Sequence, residues 1–401
     1  MRTILHSDLN NFFASVEMAA NSELKSVPMA VCGDEKERHG IVLAKNEIAK
    51  ALGIKTAMTI HEAQSICPNL VKVQADLQKY RYYSTVVRKI YEEYTDKIEP
   101  FGIDEAWLDV THSQMLFGGG MEIAKNISKK VREKTGLTVS IGVSFNKVFA
   151  KLASDMKKPD GITEISFENY KEIVWKLPIK ELLFVGKSTV CELNRCNIFT
   201  IGDFANCNRD FVYQNFGKNG LTTLKYANGE DDSPVKATTE EGIKSVSNST
   251  TSSKDFYCFE EIKSTLYELV ESVCFRGIKQ GLLYPKTITL WVRDNELQSF
   301  TRQKKLPYPT VIVSEIFNEI TKLFKDNYVW NKPVRSVGVG LTDFENDAIQ
   351  LDDLVDERVM VKKMFAQDCF SKIKDEQGEN VIANGIVAKK LYQIKEKNNK
   401  E

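Results

Sequence analysis

The sequence predicts an α+β protein of several domains, and three observations carry that prediction. Up to about residue 165, short apolar runs alternate with helical patterns around a central hairpin, which suits a ferredoxin-like α+β domain. From Ser166 to Asn228 the pattern changes to short helices. Asn228 to Gly242 is polar and lacks apolar periodicity, and beyond it strands and two helices return as a separate α+β domain. The length, 401 residues, suits two to four domains with a core in each.

Composition narrows the function classes. Hydrophobic residues are 42% and charged residues 27%, ordinary values for a soluble globular protein. A formal net charge of zero argues against a polycation but leaves room for a local basic face. No apolar run approaches a membrane span, and Met1-Arg2-Thr3 shows no signal peptide. The eight cysteines are scattered without a C-x-x-C pair, and only four histidines accompany them. Structural zinc and a disulfide framework are both disfavoured, so the expected compartment is reducing cytoplasm.

Thr3 to Ser7 reads as a short buried strand that delivers Asp8 at its end, and Asn10-Asn11 start a helix from Phe12 to Ala20. An acid at a strand's C-terminal end is a common site residue, although Asp8 alone equally suits a helix cap. Gly40 to Ile54 reads as a strand and then a helix closed by Gly53. Leu77 to Tyr94 is helical, and its stripe Tyr80, Tyr83, Val87, Ile90, Tyr94 reads as core.

Ile98 to Val110 (I-E-P-F-G-I-D-E-A-W-L-D-V) reads as a hairpin with Asp104 and Glu105 at its bend. Adjacent acids repel each other unless a cation sits between them, and hard divalent cations take carboxylate oxygens. Alone, the pair also suits a solvated acidic turn. With Asp8 it makes three carboxylates from two strand ends, the minimum for two Mg²⁺ ions, and the Leu9 carbonyl offers a further oxygen. A glycine loop at 118–120 precedes a helix, Met121 to Lys134, stopped by Gly136. Val139 to Ser144 is a strand, and Asn146 caps a helix to Met156.

Three segments in combination carry a resemblance: D-L-N-N-F-F-A-S-V-E at 8–17, G-I-D-E-A-W-L-D-V-T at 102–111, and S-x-N-K-x-x-A-K-x-A-S-D-M-x-K-P-x-G at 144–161. Together they resemble the Y-family DNA polymerases, in particular the DinB branch of bacteria, and the likeness runs to roughly Phe344. It implies a low-fidelity, lesion-bypass DNA polymerase. A primer 3′-hydroxyl would attack an incoming nucleotide, with Mg²⁺ held by Asp8, Asp104, Glu105 and the Leu9 carbonyl.

The implied domains are a palm (1–10 and 75–165), fingers (11–74), a thumb (166–230), a linker (231–243), a little finger (244–345) and a C-terminal tail (346–401). Phe13 falls at the family's steric gate, where an aromatic ring collides with a ribose 2′-hydroxyl; plain core packing explains it equally well. Asn11, Phe12, Phe13, Lys50 and Lys158 fall at nucleotide-binding positions. Lys158 also suits a basic helix end favoured by the macrodipole. Glu47 departs from the family, where a tyrosine often donates to the phosphates; an ionised acid cannot donate and repels them. Lys45 is a candidate to compensate.

Leu182 to Thr189 resembles a helix–hairpin–helix, which grips a phosphate with backbone N–H groups, although a bland helical turn explains these residues equally well. Gly186, Lys187 and Ser188 would bind DNA there, although Phe184 replaces the usual first glycine. In the little finger the expected contacts are Thr250, Arg302 and Lys304. Lys and Arg barely outnumber Asp and Glu in that domain, so strand N–H groups and hydroxyls would have to contribute. Gln350 to Leu354 vaguely resembles a sliding-clamp docking peptide, with Asp353 where an apolar residue is usual, and a tail helix is expected over Glu357 to Ile373.

The expected partners are primer-template DNA, a deoxynucleoside triphosphate and possible clamp contact, with no membrane; the chain is expected to be a monomer associated with the nucleoid. Two other readings stay open. A non-catalytic DNA-binding relative is kept alive by Glu47 and Phe184. A two-metal nucleotide cyclase shares the acid logic, but the chain lacks a G-G-[DE]-[DE]-F hairpin.

Overall fold

The computed structural model describes residues 2–34, 40–236, 243–282 and 284–345, with parts of a helix between 362 and 373. The chain forms two compact units. The first comprises Met1–Glu35 with Gly40–Glu241, and Gly242–Glu401 makes up most of the second. Among the described residues no helix is long and apolar enough to cross a membrane.

Among its described residues the first unit contains eight strands: β1 (Ile4–Leu9), β2 (Met29–Cys32), β3 (Val42–Lys45), β4 (Val71–Gln74), β5 (Ile98–Phe101), β6 (Glu105–Asp109), β7 (Val139–Ser144) and β8 (Ile162–Ile165). Five of them form one sheet in the order β5-β6-β1-β7-β8. β1 runs antiparallel to both β6 and β7, and β8 joins the edge parallel to β7. The first four strands of that order have the ferredoxin-like arrangement that the strand–helix alternation predicts.

Helices Leu77–Glu92 and Gly120–Thr135 each bury one face, through Tyr80, Val87 and Ile90 and through Ile123, Ile127 and Val131. Together with Leu5, Leu9 and Leu108 these side chains form the largest core of the unit. The tyrosine-rich stripe of the first helix is core, as its spacing predicts.

Helix Lys147–Met156 has a double role. Its residues Val148, Phe149 and Leu152 belong to the core of the helical region that follows. Its other side lies against the sheet, where β7 offers Gly142. A Cβ at that position would lie 1.9 Å from the Ala150 carbonyl oxygen, so only glycine permits this approach. Asn146 caps the helix by accepting from the Phe149 N–H at 2.8 Å.

β2, β3 and β4 form the second sheet, in the order β3-β2-β4, with a small core of their own around Ala30, Val42, Ile54 and Ala63. Buried Asn46 ties this module together. It accepts from the Met29 and Ala49 N–H groups and donates to the Leu24 and Val27 carbonyls.

Several expectations are corrected. β1 continues to Leu9, so Asp8 is part of the strand and not its terminus or a helix cap. The expected linker begins too early, because 231–236 is bound to the first unit. Asp231 accepts from the Lys147 N–H at 3.2 Å, Arg2 donates to the Ser233 carbonyl at 2.7 Å, and the Lys236 N–H donates to Glu99 at 2.9 Å. Val235 is buried with Ile4, Trp107 and Ala150. One apolar residue among polar neighbours gives no periodicity, so composition alone reads the stretch as a tether. Gln350 to Leu354 and most of the tail lie outside the described residues.

A turn joins the short 3-10 helix Ile179–Glu181 to helix Lys187–Arg195 without the usual glycine. Phe184 adopts φ +67°, in the left-handed region a glycine would occupy, and is largely exposed with its ring 6.2 Å from that of Tyr226. Gly186 then caps helix Lys187–Arg195 with no side-chain hydrogen bond.

The second unit has four strands: β9 (Ser245–Phe256), β10 (Tyr284–Asp294), β11 (Ser299–Lys305) and β12 (Val334–Glu345). They form an antiparallel sheet in the order β11-β10-β12-β9, and helices Phe259–Lys279 and Val313–Asn327 contribute to the core on one face. The other face holds a shallow groove of about 550 Å³ lined by Ser247, Ser249, Thr289, Trp291, Gly338 and Gly340.

Phe184→Gly should raise the urea midpoint, by the equivalent of about 1 kcal/mol or less. Relief of a left-handed non-glycine residue slightly outweighs the added freedom of the unfolded chain. A lower midpoint would mean that packing on Tyr226 dominates.

Candidate active site

The strand register brings the acids together. Asp8 on β1 pairs directly with Glu105 on β6, so their side chains share one face of the sheet. Asp104 lies in the turn between β5 and β6, and its carbonyl accepts from the Leu9 N–H at 3.1 Å. This bond ties the turn to the end of β1. On the other side the Asn10 N–H donates to the Thr138 carbonyl at 3.0 Å, and the Ser140 hydroxyl donates to the Asn10 side chain at 2.8 Å.

Helix Lys147–Met156 and the turn after it supply the opposing charge. Lys158 Nζ lies 2.5 Å from Asp8 and 2.6 Å from Asp155. Lys151 Nζ lies 2.7 Å from Glu105, 3.6 Å from Asp8 and 3.5 Å from Asp155. Lys151 was not singled out from the sequence. Its signal was available, because Lys151 and Asp155 stand four residues apart on a helix beside a matched lysine.

These contacts divide the three acids. Burial raises the pKa of Asp8, and the Lys158 ammonium opposes it. Burial also raises that of Glu105, but His6 and Lys151 more than reverse this and hold it below the ordinary carboxylate range. Asp104 is pushed up to about 6, by burial first and then by the Asp8 and Glu105 charges.

Among the described residues no three His, Cys, Asp or Glu side chains are pre-arranged around one point. Asp8 and Glu105 are turned onto the lysines. The donor set nevertheless fits a hard cation: three carboxylates, one of them held up by burial and by its like-charged neighbours, is the arrangement such an ion relieves.

The acids line a cleft of about 290 Å³ together with Leu9, Asn11, Phe12, Phe13, Lys45, Thr56 and Lys158. Phe12 is buried, whereas Phe13 is only partly so and stacks on Tyr80 at 4.1 Å and 12°. The Tyr80 hydroxyl donates to Glu17 at 2.9 Å, and Lys79 pairs with the same carboxylate at 2.7 Å. Tyr80 is therefore core, as expected, and also the backing of Phe13, which helical spacing alone does not reveal.

The cleft lining includes Lys45 and not Lys50. Lys50 is half exposed and donates to Glu47 at 3.3 Å, and Asn11 donates to the same Glu47 oxygen at 2.8 Å. The Asn11 hydrogen bond holds the Glu47 carboxyl below its usual range. Glu47 thus engages one expected nucleotide residue, Lys50, and fixes another, Asn11, while Lys45 donates to Thr56 at 3.2 Å within the cleft.

The expected DNA contacts of the second unit lie on the helix-covered face of the sheet. Arg302 pairs across the sheet with Leu290, Lys304 with Ile288 and Thr250 with Val337, all core residues. Arg302 accordingly donates to Asn327 and Lys304 pairs with Glu319, both on a covering helix. The open face carries Thr301 and Gln303, opposite Trp291 and Thr289. A strand has a period of two, so composition alone does not show which face a basic residue takes.

The impB/mucB/samB family matches residues 7–155, and the C-terminal domain of the same family matches 243–353. The chain is 44% identical over 389 residues to a DNA polymerase IV of Acetivibrio thermocellus, covering 96% of this chain and 97% of that one. It is 36% identical to a "DNA polymerase IV 2" of Bacillus subtilis, covering 95% and 93%. Two solved structures are similar. One is a Y-family DNA polymerase chimera, Dbh-Dpo4(243-245)-Dbh, with a TM-score of 0.77 and 26% identity. The other is an insertion ternary complex of Dbh DNA polymerase, with a TM-score of 0.63 and 25% identity. Each covers 86% of this chain and 100% of its own.

Asp104 makes stability fall with rising pH in the absence of divalent cations. Its native pKa is raised, so its favourable contribution is complete below about pH 4 and is lost as pH rises through about 6. With EDTA present, Asp104→Asn should be more stable than the parent at pH 7.5, and the difference should shrink towards pH 4. Equal urea midpoints at both pH values would contradict the clustered-charge account.

Proposed function

The chain belongs to the impB/mucB/samB family, the DinB-like branch of the Y-family DNA polymerases, and from that membership we propose how its own residues carry out DNA synthesis. It is a DNA-directed DNA polymerase of the translesion type, acting on primer-template DNA and an incoming nucleotide. The observation that carries the residue-level reading is one cleft holding the Asp8–Asp104–Glu105 cluster, Phe13 and Lys158.

In this reading Asp8, Asp104 and Glu105, with the Leu9 carbonyl, hold two Mg²⁺ ions. Bound there, the ions would activate the primer 3′-hydroxyl and offset charge on the phosphates and the leaving group. Lys158 and Lys45 bring ammonium groups to the triphosphate, where a compact charge on a long stem suits a mobile phosphate. Phe13, backed by Tyr80, closes the sugar side of the cleft and excludes a 2′-hydroxyl. Glu47 restrains Lys50 and adds an anion near the phosphates, which weakens nucleotide binding without touching the acids.

DNA contacts are assigned to the Gly186–Lys187–Ser188 helix start and to the open sheet face of the second unit, through hydroxyls and backbone groups, as sequence-independent binding requires. Such binding weakens with salt. Clamp docking is assigned to Gln350–Leu354, and the protein is read as a cytoplasmic monomer that works at the nucleoid.

Two experiments test this assignment. Asp104→Ala should abolish primer extension, by at least about a hundredfold in kcat, while primer-template affinity stays within a few-fold. Normal extension by that variant would remove Asp104 from the metal site. Phe13→Ala should raise ribonucleotide insertion relative to deoxynucleotide insertion by about tenfold or more, measured as a ratio of kcat/KM values. An unchanged ratio would show that another group is the gate.

A further inference from the structure

Behind the acidic cluster lies a histidine that the reading above does not use. His6 precedes Asp8 by two residues, so strand alternation puts both on one face of the sheet. Its cross-strand partners are Trp107 on β6 and Gly142 on β7. The missing side chain at Gly142 lets helix Lys147–Met156 approach the sheet closely, and the His6 ring is buried completely beside that contact. The Trp107 ring packs against it edge-on at 5.2 Å.

Both ring nitrogens face polar atoms. Nδ1 lies 2.8 Å from the Ser154 hydroxyl, and Nε2 lies 3.2 Å from Glu105 Oε2. The Ser154 hydroxyl has one proton and two acceptors in reach, Nδ1 and the Lys151 carbonyl at 2.7 Å. When it donates to Nδ1, the ring carries its own proton on Nε2, towards Glu105. An ionised carboxylate only accepts, so Glu105 favours this tautomer, and the Ser154 hydroxyl accommodates it.

Glu105 Oε2 therefore has two close neighbours, Lys151 at 2.7 Å and His6 Nε2 at 3.2 Å, the second a contact between two buried atoms that have no other aligned hydrogen-bond partner. The two partners differ in kind. Lys151 sits on a flexible stem and is also within reach of Asp8 and Asp155. His6 is a ring locked by packing on both sides. We propose that His6 is a positioning residue for Glu105: the buried imidazole fixes one carboxylate oxygen so that the other is presented to the cleft and its cation. A neutral ring orients the carboxylate without cancelling its charge, which a second lysine would do. Fixing the carboxylate during folding also spares the loss of side-chain freedom at cation binding. The inference rests on the reading of Glu105 as a cation ligand.

The test uses the full-length protein bound to primer-template DNA, with Mn²⁺ as the probe and electron paramagnetic resonance as the readout, beside single-nucleotide kcat and KM. His6→Leu should weaken Mn²⁺ binding about tenfold and lower kcat, with KM for the nucleotide within about twofold at saturating metal. His6→Gln retains a donor amide and should recover most of that loss. Ser154→Ala should give a smaller loss in the same direction.

Wild-type Mn²⁺ affinity in His6→Leu overturns the proposal, and so does a glutamine variant no better than leucine. If His6→Leu does not fold, unchanged Mn²⁺ affinity in Ser154→Ala overturns it. Asp104→Ala serves as the control for the premise. Mn²⁺ binding that survives this substitution would show that the acids are not the metal site, a failure distinct from that of His6.

Discussion

Two carboxylates facing each other across an antiparallel strand pair are the constraint on which the first unit depends. Asp8 and Glu105 are directly opposed, and a third acid stands in the adjoining turn. Like charges in that position oppose pairing of the strands. The fold tolerates them because helix Lys147–Met156 and its following turn bring Lys151 and Lys158 onto the same face. The helix reaches that face because Gly142 leaves room for its backbone. A glycine in β7 and two lysines beyond it are thus parts of one arrangement with the acids. The raised pKa of Asp104 reflects its burial first and then the Asp8 and Glu105 charges that the lysines leave unbalanced.

The same helix links chemistry to architecture. One side carries the counter-charges, and the other supplies Val148, Phe149 and Leu152 to the core of the helical region. Its N-terminus receives the segment 231–236, through the Lys147 N–H and the Lys147 ammonium bound to Glu99. Displacing this helix would disturb the acids, the helical region and the path of the chain towards the second unit together. The aromatic wall of the cleft uses separate parts. Phe13, Tyr80 and Glu17 form a stack and a hydrogen bond in which neither Lys151 nor Lys158 takes part. Phe13 and the charge balance therefore have independent supports.

Position 47 shows how a local departure changes a site without dismantling it. An acid there does not point at the metal ligands. It accepts from Asn11 and Lys50 and so holds two expected nucleotide residues, while Lys45 faces the cleft. Phe184 is a comparable case. The backbone takes the left-handed turn required by the hairpin even without a glycine, because one strained residue costs less than abandoning the helix start that follows.

The sequence by itself determined the α+β class, the helix at 12–20, the strand at 139–144, the helix to Met156 and the three acids. Each is a local signal: alternation, helical spacing, a cap or two adjacent charges. It also determined that Phe13 and Lys158 belong near those acids, through motifs matched in combination. Only the tertiary structure decided which face Thr250, Arg302 and Lys304 take, because strand phase is set by what the opposite strand buries. It also decided that Lys151 and His6 converge on Glu105, that Tyr80 backs Phe13 and that 231–236 is bound to the first unit. Those partners lie on different elements, far apart in the chain. No window of sequence records a distance that exists only once the sheet has paired and the helix has closed over it.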